Sequence, residues 1–150
     1  MRFLVSICLL FFTMTWIVVA YPVNTKWSRY AIGGYDTVAY FTNNTAIKGT
    51  AQFSARYRGA TWLFNSETNK QRFLLSPDTY IPAYGGHCAY AMAYSGKLVR
   101  VDPKVFTIVD NRLFLNYSAR VRETWESMRD NYIRTADSNW ERYLSKEGSD

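Results

Sequence analysis

The sequence predicts an α+β fold, with a small antiparallel sheet built from hairpins, one internal helix and C-terminal helices packed on the sheet. Two stretches of strand-forming residues are each divided by a turn-forming pair, Arg58-Gly59 and Asp110-Asn111. From Ser118 onward helix-forming residues predominate, and apolar residues recur at helical spacing. A chain with its strands mainly first and its helices mainly last is typical of the α+β class.

The first half of the chain is predicted to hold a short strand, a hairpin and a helix. Residues 37–42 are rich in β-branched and aromatic side chains and are followed by two asparagines, which predicts the strand. Residues 51–57 alternate between apolar and polar side chains, and residues 60–64 return as the second strand of the hairpin. Ser66 is a candidate N-cap for the internal helix, over residues 67–75.

The second half is predicted to hold the other hairpin and the C-terminal helices. Residues 106–109 and 113–115 are the strands of this hairpin. Residues 87–94 fit a short helix and a strand equally well, so both remain open. Apolar residues at helical spacing between Val121 and Leu144 predict amphipathic helices. No internal repeat is recognisable in the sequence.

The first twenty residues have the layout of a secretory signal peptide. Phe3 to Val19 form an almost continuous apolar run behind Arg2, and small residues up to Ala20 suit cleavage. An uncleaved membrane anchor is the alternative, because the run approaches the minimum length that spans a bilayer. Residues 21–150 are predicted to form a single domain outside the cytosol, secreted or, in a bacterium, periplasmic. Contact with a membrane is expected only if the leader is retained.

Composition and charge exclude several classes of protein. A hydrophobic content of 48% with 20% charged residues excludes a disordered chain. The net charge of +6, about +5 without the leader, comes from scattered basic residues, so no nucleic-acid partner is expected. Cys88 is the only cysteine outside the leader, which excludes an internal disulfide. Asn43 opens a sequon in a predicted turn and is the candidate glycosylation site if the source is eukaryotic.

Cys88 and the adjacent His87 are the side chains best suited to chemistry. A thiolate and an imidazole suit copper, zinc or iron, although two ligands do not fill a tetrahedral zinc site. Asp36 follows a Gly-Gly pair and either caps a turn or adds a ligand. The competing interpretations are that Cys88 is a small buried apolar residue or a redox-active thiol. Because no serine elbow, phosphate loop or zinc-binding histidine pair is found, an enzyme is not expected.

Tyrosines are concentrated in the segments that hold Asp36 and Cys88. Tyr35, Tyr84 and Tyr90 belong to this group. We expect them either to line a pocket for a metal or a small ligand, or to form the core with their hydroxyls at its rim.

Several blocks, in the correct order, resemble the YHS domain family and in particular its stand-alone secreted branch. The blocks are Tyr30-Ala-Ile-Gly-Gly-Tyr-Asp-Thr-Val-Ala-Tyr-Phe41, Gly59-Ala-Thr-Trp-Leu-Phe-Asn-Ser-Glu-Thr-Asn-Lys-Gln-Arg-Phe73, Ser76-Pro-Asp-Thr-Tyr80 and Tyr84-Gly-Gly-His-Cys-Ala-Tyr-Ala91. The resemblance implies a compact α+β module that binds metal. Metal-binding members carry cysteines at three positions that here read Ala39, Asn65 and Asn69. Cys88 matches the cysteine of the stand-alone branch.

The residues and the resemblance together predict a secreted binding module and not an enzyme. The expected ligand is a transition metal, with copper as the first candidate, held at Cys88 with His87 and Asp36 as further ligands. Two alternatives stay open. One is a thiol-dependent redox or sensor protein that uses Cys88, and the other is a structural or interaction domain without a small ligand.

Overall fold

The computed structural model describes residues 21–25 and 28–147, so the predicted leader lies outside the described residues. The first half of the chain forms a 3-10 turn (Ala31–Gly34), helix α1 (Ala39–Asn43), strands β1 (Thr50–Tyr57) and β2 (Ala60–Phe64), and helix α2 (Glu67–Leu75). After helix α3 (Pro77–Tyr80), the second half forms a 3-10 turn (Ala83–Gly86), helix α4 (Ala89–Ser95), strands β3 (Phe106–Val109) and β4 (Arg112–Leu115), and helices α5 (Ala119–Ser127) and α6 (Arg129–Glu147).

The described residues confirm the predicted α+β class. They form six α-helices and two antiparallel two-stranded sheets, with two helices after the last strand. Both predicted hairpins are present, but each forms a sheet of its own and they do not join into one. Residues 87–94, for which the pattern left two choices, are largely helical as α4. Among the described helices, none is both long and apolar enough to cross a membrane.

The predicted strand over residues 37–42 is wrong, since helix α1 occupies most of this segment. Asp36 Oδ1 accepts hydrogen bonds from the backbone N–H groups of Val38 (2.9 Å) and Ala39 (3.2 Å), which caps the start of the helix. Asn44 ends the helix in the left-handed conformation, with a φ of 49°. The residue types that indicated a strand reflect burial instead, because Val38 and Ala39 are both 0% exposed.

Residues 31–75 and 83–127, called the first and second units below, share one backbone conformation at a constant displacement of 52 residues. Each unit runs from a Gly-Gly turn through a short helix and a hairpin to a second helix. Positive φ values are uncommon outside glycine, so matched positions identify repeated backbone. All described residues with positive φ pair in this way: Ile32 with Tyr84, Gly33 with Gly85, Gly34 with Gly86, Asn44 with Gly96, Arg58 with Asp110, and Gly59 with Asn111.

Equivalent hydrogen bonds join equivalent residues in the two units. The last four residue pairs of the first hairpin recur in the second with the same register. A serine side chain caps the last helix of each unit. The repeated bonds include Asn69 N–H to Ser66 Oγ (3.1 Å) and Val121 N–H to Ser118 Oγ (3.3 Å), and also Asp36 N–H to the Ile47 carbonyl (2.8 Å) and Cys88 N–H to the Val99 carbonyl (3.0 Å).

Sequence divergence conceals this repeat. Only six equivalent positions hold the same residue in both units, and in the first unit these are Ala31, Gly33, Gly34, Ala39, Leu63 and Ser66. Gly86 shows why the glycines stay the same: its φ is +81°, and a Cβ added to it would lie 2.1 Å from Cδ1 of Ile32. The Gly-Gly turn of the second unit therefore packs directly against that of the first.

Each unit builds an apolar cluster around an aromatic residue of its last helix. Phe73 is fully buried, and its ring centroid lies 5.2 Å from that of Trp62. Trp125, the equivalent residue of the second unit, is also fully buried and lies 5.3 Å from the ring of Phe114. Leu115 of the second unit belongs to the cluster around Phe73, so the two units share buried surface.

Residues outside the units hold them together. Asn24 donates its backbone N–H to the Gly85 carbonyl (2.8 Å) and accepts the Ile32 N–H (2.9 Å), which bridges the two Gly-Gly turns. On α6, the side-chain amide of Asn139 donates to the carbonyl of Met92 (2.8 Å), where α4 ends. The C-terminal helix thus closes over the second unit.

Candidate functional site

Asp36 is fully buried, and hydrogen bonds within the protein occupy its carboxylate. Besides the two N–H groups of α1, Oδ2 accepts from the backbone N–H of Asn65 (2.9 Å) and from Nδ2 of Asn69 (2.8 Å). Two donors therefore bind each carboxylate oxygen. These bonds offset the cost of burying the charge and join the start of α1 to the start of α2.

Cys88 occupies in the second unit the position that Asp36 occupies in the first. Three backbone N–H groups lie close enough to its sulfur to lower the pKa of the thiol, and each is the counterpart of an N–H that binds Asp36. The N–H of Tyr90 donates its hydrogen bond to Oδ1 of Asn116 over 3.2 Å. The counterparts are Tyr90 and Val38, Ala91 and Ala39, and Tyr117 and Asn65. An equivalent cradle of backbone N–H groups thus surrounds a carboxylate in one unit and a thiol in the other.

The environment of Cys88 keeps its thiol protonated. The side chain is buried, with 1% of the residue exposed, and its sulfur lies 3.6 Å from Oδ1 of Asn116, to which it donates a hydrogen bond. Burial raises the pKa of Cys88 more strongly than the surrounding N–H groups lower it. At neutral pH the group is a thiol and not a thiolate, so it is a poor nucleophile.

His87 lies beside Cys88 in the chain without completing a metal site. It is also buried, and its backbone N–H donates to the Tyr84 carbonyl over 3.1 Å. Within residues 21–25 and 28–147, no group of three or more His, Cys, Asp or Glu residues could hold a metal ion. The structure therefore does not assemble Cys88, His87 and Asp36 as a set of ligands.

The three predicted pocket tyrosines lie in three different environments. Tyr35 lines a cavity between the two units. Tyr84 is buried and donates its hydroxyl to Asp137 over 2.9 Å, and burial raises its pKa well above the usual value. Tyr90 stacks on Tyr94, with ring centroids 5.8 Å apart. They do not share one pocket.

The cavity between the units has a volume of about 550 Å³. The first unit contributes Tyr35 and Lys48 to its walls, and the second contributes Arg100, Asp102 and Tyr117. Pockets for small organic ligands are commonly about 300–1,000 Å³ in volume. This cavity is therefore large enough for such a ligand.

Lys48 and Arg100 are equivalent residues of the two units, and each is held against a tyrosine. Nζ of Lys48 lies 4.2 Å from the Tyr35 ring centroid and donates to the Gly33 carbonyl over 2.7 Å. The Arg100 guanidinium lies 4.9 Å from the Tyr117 ring centroid and donates to its hydroxyl over 2.6 Å. Sequence reasoning missed both cations because neither belongs to a motif, and only the concealed repeat relates them.

Comparison with known families gives one match, which covers most of the first unit. The family model of the YHS domain matches residues 38–84, from the start of α1 to the Gly-Gly turn of the second unit. The match confirms the resemblance to the YHS domain family over these residues. No curated protein and no solved structure gives a significant match. The second unit repeats the backbone of the first beyond the matched residues, from residue 85 onward.

The YHS family is associated with metal binding, and the first unit allows a test of fit. Ala39, Asn65 and Asn69 stand where metal-binding members carry cysteine, and each donates an N–H group to Asp36. Thiolates at these positions would attract a cation, whereas converging N–H groups attract an anion. These three positions therefore do not fit a metal ion.

Proposed function

We propose that this YHS domain protein is a non-catalytic binding module whose ligand occupies the cavity between the two units. The observation that carries the proposal is the cavity of about 550 Å³ to which both units contribute. Ile32, Val101 and Pro103 supply apolar wall, and Lys48 and Arg100 supply polar groups. Small-molecule sites combine apolar wall, which holds the body of the ligand, with polar groups that fix its orientation.

The state of Cys88 favours binding over catalysis. A catalytic cysteine acts as a thiolate, with a base within hydrogen-bond reach to activate it. The raised pKa of Cys88 and its contact with the neutral amide of Asn116 supply neither condition. A buried, protonated thiol also disfavours the redox or sensor alternative, because such chemistry needs an accessible thiolate.

Binding of the neutral fluorescent probe N-phenyl-1-naphthylamine tests the proposed function. Tyr117 is 40% exposed, so Tyr117→Ala removes a wall of the cavity without opening the core. We expect the variant to bind the probe roughly threefold to tenfold more weakly, because an aromatic contact is lost. Tyr94→Ala is the matched control, since Tyr94 is 77% exposed and does not line the cavity. Equal affinity of the wild type and both variants would refute the proposal.

Copper bound at Cys88 is a second candidate, supported by the association of the family with metals. A ligated thiol resists alkylation until a chelator removes the metal. A buried thiol without a metal resists with or without chelator and reacts only in denaturant. We expect the second pattern, together with equal copper affinity of the wild type and Cys88→Ser. Stoichiometric copper binding that Cys88→Ser abolishes would support the copper site instead.

Export from the cytosol is also proposed, on the basis of the apolar run in residues 1–20. Protein made in a secreting host should begin at Tyr21, as measured by intact mass. Retention of the leader in a membrane fraction would show an anchor. In a eukaryotic host Asn43, which is exposed at the end of α1, is the expected glycan site, and Asn43→Gln should remove the added mass.

A further inference from the structure

We propose that the cavity between the units binds a small organic anion, with its charged group between Lys48 and Arg100 and its apolar body against the cavity wall. This inference rests on the proposed function, because it names the class of ligand for the same cavity. Neither cation belongs to a metal-binding motif, and the structural repeat places both of them at the cavity.

Backbone hydrogen bonds to two buried residues, Asp36 and Cys88, fix the positions of both cations. Lys48 directly follows Ile47, whose carbonyl accepts the N–H of Asp36 over 2.8 Å. Arg100 directly follows Val99, whose carbonyl accepts the N–H of Cys88 over 3.0 Å. Because the Gly-Gly turns of the two units pack together, these equivalent positions reach one cavity from opposite units.

The charges that line the cavity favour an anion. The lining holds two cations, Lys48 and Arg100, and one carboxylate, Asp102. The Asp102 carboxylate already accepts the backbone N–H of Lys104 over 2.9 Å. An anion between two cations gains from both, and charge-assisted hydrogen bonds are stronger than neutral ones. Both cations are also exposed to solvent.

The apolar wall selects an anion that carries a hydrocarbon body. Ile32, Val101 and Pro103 line the cavity, and the ring of Tyr35 adds an aromatic face. Inorganic anions would leave this surface in contact with water. A carboxylate, sulfonate or phosphate group on a flat apolar body matches the charged and the apolar parts together.

A pair of probes that differ in charge separates this inference from the proposed function. 8-Anilinonaphthalene-1-sulfonate has the aromatic skeleton of N-phenyl-1-naphthylamine with a sulfonate added. We expect the wild type to bind the anionic probe more tightly, with an affinity that falls as salt is added. The double variant Lys48→Gln/Arg100→Gln should lose about tenfold or more in affinity for the anionic probe, and its loss of affinity for the neutral probe should be much smaller. Lys97→Gln/Arg120→Gln makes the same change in net charge at exposed positions outside the cavity and should change neither affinity.

The outcomes distinguish the two proposals. If both probes bind in a manner that depends on Tyr117, but Lys48→Gln/Arg100→Gln does not weaken the anionic probe, the anion inference is overturned and the cavity remains the site. If neither probe depends on Tyr117, the proposed function fails and the inference fails with it. Equal losses in the cavity and control double variants would also overturn the inference, because the effect would then come from net charge alone.

Discussion

Replacing Asp36 by alanine removes the acceptor for four buried hydrogen-bond donors. These are the N–H groups of Val38, Ala39 and Asn65 and the side-chain amide of Asn69, at 2.8–3.2 Å from the carboxylate oxygens. A buried donor left without its partner costs about 1–3 kcal/mol. Water that fills the space left by the carboxylate would bond to some of these donors and reduce the total cost. We therefore expect Asp36→Ala to lower the free energy of unfolding by about 3–5 kcal/mol, comparable to breaking a buried ion pair.

Urea denaturation followed by far-UV circular dichroism measures this loss. Asp36→Asn keeps one acceptor oxygen and should fall between the wild type and the alanine variant. Asp78→Ala removes an exposed carboxylate that pairs with Arg58 at 2.9 Å, and it should cost less than about 1 kcal/mol. A chelator should leave all midpoints unchanged. The reasoning is wrong if Asp36→Ala costs less than about 1 kcal/mol, or if chelator lowers the wild type to the level of that variant, which would make Asp36 a metal ligand.

Two further predictions concern the core and the response to alkali. Phe73→Ala and Trp125→Ala, equivalent and fully buried positions, should each cost about 3–5 kcal/mol in urea denaturation, and a clearly smaller loss at one position would contradict the equivalence of the units. Tyr40→Phe should cost about 1 kcal/mol at neutral pH, because the Tyr40 hydroxyl donates to the Pro103 carbonyl over 2.7 Å. Burial raises the pKa of Tyr40 far above its usual 10.0, so its contribution is present below about pH 10 and is lost as the pH rises further. The wild type should therefore lose up to about 1.4 kcal/mol per pH unit relative to Tyr40→Phe above pH 10, and a constant difference would refute this.

Local patterns predicted those parts of the fold that local interactions determine. Ser66 and its hydrogen bond to Asn69 lie within one turn, so the sequence alone predicts the N-cap and the bounds of α2. Helix α1 was not, because Asp36 caps it while also binding Asn65 and Asn69 at the far side of a hairpin. Those long-range bonds make a helix of residues whose types favour a strand.

The candidate site was hidden for a related reason. Lys48 and Arg100 are far apart in the chain, and neither stands in a recognisable motif. They meet at one cavity only because two units of the same backbone pack through their Gly-Gly turns. Cys88 is the only cysteine outside residues 1–20, and its structural counterpart in the first unit is Asp36, which no motif relates to it.

The equivalence of Asp36 and Cys88 predicts that an aspartate can replace the thiol. In Cys88→Asp the introduced carboxylate would lie among the three N–H groups near the Cys88 sulfur, including that of Tyr90, which in the wild type donates to Oδ1 of Asn116 over 3.2 Å. Nδ2 of Asn116 is buried and has no hydrogen-bond partner among the described residues. A half rotation of the Asn116 amide would turn this Nδ2 toward the introduced carboxylate. We expect the free energy of unfolding of Cys88→Asp to lie within about 1 kcal/mol of the wild type, because the cradle that stabilises a carboxylate in the first unit is already in place.

Met92→Asp is the matched control for this substitution. Met92 is 0% exposed and lies inside α4, so a buried carboxylate there should cost several kcal/mol. Urea denaturation of the two variants at neutral pH compares them directly. If Cys88→Asp is destabilised as strongly as Met92→Asp, the amides around Cys88 do not form the anion cradle of the first unit, and the two positions are equivalent in backbone alone.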